Sequence, residues 1–92
     1  MFGETRMHKV ELFEEAIVLA RRLGYRSRQE WLGGSGGGAC EIKGQKWIFI
    51  DLALSPNEQL ELVIEALVGE DSLRLCEVSV DLAKLLKVRK TA

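Results

Sequence analysis

Much is scarce in this chain of 92 residues, and each scarcity excludes something. There is one proline, in Ser55-Pro56, so the rest of the chain is free of obligatory helix breaks. The two cysteines, Cys40 and Cys76, form no Cys-x-x-Cys pair and are too few for a disulfide scaffold. With a single histidine, His8, a zinc centre would need His8, Cys40 and Cys76 together with a further ligand, and no recognised metal spacing is present. No apolar run approaches the roughly 20 residues that span a bilayer. The first residues, Met-Phe-Gly-Glu-Thr-Arg, are polar and of mixed charge, unlike a secretory leader. The formal charge is only −1, which argues against bulk electrostatic attraction to nucleic acid or to an anionic membrane. These absences favour a cytoplasmic chain with reduced thiols, no membrane partner, and the small apolar side chains of Cys40 and Cys76 in a core.

What remains is ordinary globular material: 47% hydrophobic and 29% charged residues, enough for one domain spanning 1–92 and not for two. Charge is unevenly placed. From Asp51 to Ser72 every charged residue is an acid, whereas the last stretch carries Arg74, Lys84, Lys87, Arg89 and Lys90 against Glu77 and Asp81. The two blocks read as solvated faces of opposite sign, available for pairing within or between copies.

Periodicity supplies the elements. Val10, Phe13, Ile17 and Ala20, with Leu12, Ala16 and Leu19, make a broad apolar face on a helix from about His8 to Leu23, ended by Gly24. Tyr25 to Leu32 alternates loosely as a strand. Cys40-Glu41-Ile42-Lys43, a turn centred on Gly44, and Lys46 to Asp51 read as a β-hairpin whose second arm is rich in aromatic and β-branched residues. Ser55-Pro56-Asn57-Glu58 is a capping box that opens a helix over about 56–68 and Gly69 closes it. Ser79 can cap a short last helix through Val88, before a fraying tail. The expected fold is α+β in two layers: helix, three-stranded antiparallel meander, helix, short helix. Trp47, Ile48, Phe49 and Ile50 would split between a covered and an open sheet face, and an open face keeping aromatic side chains is a contact surface.

Five of the nine glycines fall in Gly33-Gly34-Ser35-Gly36-Gly37-Gly38. Gly34 to Ala39 matches G-x-G-x-x-A in letters, but a strand and not a helix follows, and Gly38-Ala39-Cys40 lacks the Lys-Ser/Thr of a phosphate loop. Two readings survive: a tight bend where glycines permit strand crossing, or a nest of N–H groups for an anion. On the second reading the candidate ligand-binding residues are Arg26, Arg28, Gly34, Ser35, Gly36, Gly37, Cys40 and Asp51. Asp51 also reads as a turn or capping carboxylate. No catalytic set and no cofactor motif is recognised, so an enzyme is not the favoured reading. In the segment 21–31, Arg21, Arg22, Arg26 and Arg28 interleave with Tyr25 and Trp31, a pattern for single-stranded nucleic acid set against the slightly acidic whole. The favoured expectation is a non-catalytic interaction module that forms homodimers through the open sheet face or an edge strand.

The pattern Trp31-Leu32-Gly33-Gly34, Gly37-Gly38-Ala39-Cys40, Lys43-Gly44, Ile50-Asp51-Leu52 and Glu58-Gln59-Leu60 resembles a set of small bacterial proteins of unknown function. A hairpin arm followed by Leu54-Ser55-Pro56 opening a helix is similar, more distantly, to the core of bacterial zinc peptidases that cleave phage-type repressors. Those carry His-Glu-x-x-His on that helix. The matching stretch here is Glu65-Ala66-Leu67-Val68-Gly69, so the resemblance implies a scaffold without the metal or its water.

Overall fold

The computed structural model describes residues 8–91. Helix α1 (Lys9–Arg22) leads into β1 (Tyr25–Glu30), then β2 (Gly37–Ile42), β3 (Gln45–Asp51), α2 (Pro56–Leu67), a 3₁₀ turn over Asp71–Leu75, and α3 (Val80–Thr91). The class is α+β, as the periodicities predict. Local chemistry explains the helices. Glu11 takes the His8 N–H at the start of α1. Ser55 and Glu58 exchange hydrogen bonds at the start of α2, with Pro56 inside the first turn. Ser79 caps α3 by accepting from the Leu82 N–H at 3.1 Å, and is itself gripped by both carboxylate oxygens of Glu15 on α1. Helix α3 continues to Thr91, past the expected end at Val88.

The sheet corrects the expected meander. Its order is β1-β3-β2, with β1 parallel to β3 and β2 antiparallel to β3. The physical reason is the composition of β3. Trp47-Ile48-Phe49-Ile50 is the most apolar strand, and the centre is where both backbone edges are paired. The charged β1 and glycine-rich β2 take the edges. Residues 31–36 therefore cross the end of β3 instead of making a tight turn. The hairpin turn also shifts by one residue. Lys43 and Gly44 form it, both with positive φ (51° and 81°), and Gln45 belongs to β3 opposite Ile42.

Register divides the sheet into two faces. Tyr25, Ser27 and Gln29 lie beside Lys46, Ile48 and Ile50 on the inner face. Arg26 and Arg28 lie beside Trp47 and Phe49 on the outer one. The core combines Ile48 and Ile50 with Leu12, Ala16 and Leu19 of α1, Leu60, Val63 and Leu67 of α2, and Leu82 and Leu86 of α3. Trp47 and Phe49 are outside that core. The inner face also holds a small polar knot: the Tyr25 hydroxyl donates to Glu70 at 2.7 Å, Lys46 Nζ reaches the other Glu70 oxygen at 3.0 Å, and the same ammonium sits 4.7 Å from the Tyr25 ring centre. Burial, together with the Glu70 carboxylate, pushes the Tyr25 hydroxyl up to about 12. The bonds from Tyr25 and Lys46 draw Glu70 below the usual carboxylate range.

Candidate functional site

The glycine-rich crossing is ordered around one carboxylate. Asp51, the last residue of β3, is fully buried. Its Oδ1 accepts from the Ala53 N–H at 2.9 Å and the Leu32 N–H at 3.1 Å, and its Oδ2 accepts from the Gly36 N–H at 3.1 Å. The Asp51 N–H in turn donates to the Gly36 carbonyl at 3.3 Å. These backbone donors, led by Ala53 and opposed by burial, hold the carboxyl below its ordinary range. The glycines fit that task. Gly33, Gly34 and Gly36 have positive φ with open space around them. Gly37 has no such latitude: a Cβ there would meet the Phe49 carbonyl oxygen at 2.0 Å. The nest of N–H groups thus surrounds an anion that the chain itself supplies.

The other residues singled out from the sequence separate by face. Arg26, Arg28 and Cys40 share the outer face, with Arg26 and Cys40 flanking Trp47 in one row, and Arg28 and Gly38 flanking Phe49 in the next. Gly34, Ser35, Gly36 and Gly37 lie at the end of β3, beside Asp51. On the outer face the Trp47 and Phe49 rings stack at 5.6 Å and 15°. The Arg26 guanidinium carbon is 5.9 Å from the Trp47 ring centre, and Arg28 pairs with Glu30 at 2.7 Å. Cys40 is exposed there, which corrects the expectation of a core thiol, while Cys76 packs against the core. Tyr25, a stacking residue on the nucleic-acid reading, is turned inward to Glu70, and Trp31 lies past the end of β1, 75% exposed.

A second feature was hidden in the sequence. The apolar face of α1 is wider than the core can cover. Leu12, Ala16, Leu19 and Ala20 are buried, whereas Phe13 and Ile17 are half-buried and Val10 and Val18 are 59% and 44% exposed. The uncovered side chains line a groove of about 520 Å³ with Ser27 and Gln29 of β1 and with Pro56 and Gln59 of α2. Backbone geometry makes this groove an open sheet edge. The Glu30 carbonyl accepts from the Leu52 N–H at 2.8 Å, so the peptide groups of Glu30 face β3. Alternation then turns those of Ser27 and Gln29 away from β3, toward the groove. The breadth of the α1 face was legible, but only the packing shows which part of it is left over.

Among the described residues no group of three or more His, Cys, Asp or Glu side chains is placed to hold a metal ion, and no helix is long and apolar enough to cross a membrane. Compared with protein-family models, with curated proteins and with solved structures, the chain matches none.

Proposed function

We propose that this chain is a small cytoplasmic interaction module without catalytic chemistry, and that it works as a homodimer joined along the β1 edge. The observation that carries this reading is the coincidence of two unmet demands at one place. Among the described residues, the outward peptide groups of Ser27 and Gln29 lack a strand partner, and directly above them Val10 and Val18 are exposed while Phe13 and Ile17, though packed against the core, are only half-covered. A second copy meets both. Antiparallel pairing of β1 with the partner subunit's β1 gives one six-stranded sheet, and the leftover faces of the two α1 helices close over it. Such an isologous contact needs no other sequence than this one. Lys9 and Glu14 line the same groove, so each copy presents both signs of charge to its mate.

The alternative of a small anion held by the glycine-rich loop has less support, since the Leu32 and Gly36 N–H groups are already given to Asp51. The order of hairpin and capped helix fits the likeness to the repressor-cleaving peptidases only as a scaffold, because α2 has no histidine.

Light scattering coupled to size exclusion, from low micromolar to millimolar chain, tests the dimer. Twice the monomer mass is expected at the upper end. Val18→Glu, which puts a carboxylate into the apolar seam at an exposed position, should weaken association by about a hundredfold, or ~2–3 kcal/mol. A strict monomer at every concentration rejects the reading.

A further inference from the structure

We propose that the outer face of the sheet binds single-stranded nucleic acid, with bases stacking on the Trp47–Phe49 pair and phosphates meeting the β1 arginines. The aromatic pair is fixed on the central strand, the rings parallel within 15° and outside the core. Planar aromatic side chains on an open sheet are a stacking platform that tolerates any base, and arginine beside them adds cation–π and phosphate contacts. Arg26 is already seated against Trp47.

The charge of the whole chain misleads here. Its acids are concentrated in the helical layer, where Glu58, Glu61 and Glu65 sit on α2. On the outer face Arg26 and Arg28 stand against Glu30 as the one carboxylate open to solvent, since Asp51, opposite Glu30, is buried and given to backbone N–H groups. The edge-paired dimer, on which only the shared arginine patch rests, strengthens the contrast. A two-fold axis normal to the sheet keeps both outer faces on one side. With the pairing centred on Ser27, it sets Arg26 of each copy opposite Arg28 of the other, between two aromatic pairs three strand spacings apart, about 14 Å. Like charges opposed across paired strands repel. A polyanion laid across them removes that repulsion, so binding and dimer formation reinforce each other. A protein ligand could use the aromatics but makes no such demand for grouped positive charge.

The test uses the full chain and a fluorescein-labelled oligothymidylate, read by anisotropy and by tryptophan quenching in a Trp31→Phe background, from low to high salt. Binding with quenching of Trp47 is expected. Trp47→Leu should weaken it at least about tenfold. Arg26→Gln should weaken it and flatten the dependence of log K on log salt by about 0.7 for each phosphate no longer neutralised. Glu30→Gln, which frees Arg28, should tighten it several-fold. Inorganic polyphosphate should bind more weakly and ignore Trp47→Leu. Absence of binding at low salt, or polyphosphate binding as tightly as the oligonucleotide, overturns the proposal. The dimer is separable from it. A dimeric chain that does not bind rejects this inference alone. A monomeric chain that binds through Trp47 rejects the dimer and keeps the stacking face, without its four-arginine centre. Val18→Glu protein that is monomeric yet binds as tightly as wild type rejects the shared patch and leaves the dimer standing.

Discussion

Along β3 the side chains of Ile48 and Ile50 are wholly buried, whereas Trp47 and Phe49, one step away on the opposite face, stack on each other in partial contact with water. The inner face is covered by α1 and α2, with α3 packed against both helices, and it holds the Tyr25–Glu70–Lys46 knot. The outer face carries the larger, more costly side chains and is left uncovered by every described element. Folding needs the inner set. The outer pair lies outside the core cluster that holds the helices to the sheet.

That contrast is breakable. Ile50→Ala should cost about 2–5 kcal/mol in urea unfolding, because the closed core cannot collapse onto the cavity, while Phe49→Ala should cost well under half of it. Equal losses would mean the two faces are energetically alike. Next comes the clamp at the end of β3. Asp51→Asn should lower the thermal midpoint and remove a pH dependence. The depressed carboxyl contributes stability that is fully present above the unfolded-state value of about 4 and is lost as pH falls through the lower folded value. Wild type should therefore lose stability to acid in this window more steeply than the variant. On the inner face, Tyr25→Phe should cost about 1–2 kcal/mol. The hydroxyl is raised from 10.0 to about 12, so its contribution is intact below pH 10 and fades as pH climbs toward 12. The difference between wild type and Tyr25→Phe should shrink across that interval. Smallest of all, Arg28→Ala on the outer face should change stability by no more than about 0.5 kcal/mol, since its ion pair with Glu30 is exposed.

Signals confined to a few neighbouring residues were readable without coordinates. The Ser55–Glu58 box and Pro56 set the start of α2, Gly24 ended α1, and alternation along 47–50 divided the aromatics from the isoleucines. Asp51 could be named as a candidate, and its reading as a turn or capping carboxylate is close to what its backbone donors describe. Strand partnership was not readable. The alternation of Tyr25 to Glu30 is the same whether its neighbour is β2 or β3, and the choice is made by the competition for the central position. The groove above β1 was missed for a related reason: Val10 has the spacing of a core residue, and only the finite width of the sheet beneath α1 leaves it outside.

The carboxylate clamp has a kinetic consequence. Crossing segments rich in glycine ordinarily exchange their amide protons with solvent almost at once. Here the Leu32 and Gly36 amides are bound to a group rooted in the central strand, so their deuterium uptake should follow the opening of β3 rather than the motion of a surface loop. The neighbouring Gly33 amide serves as the fast internal clock.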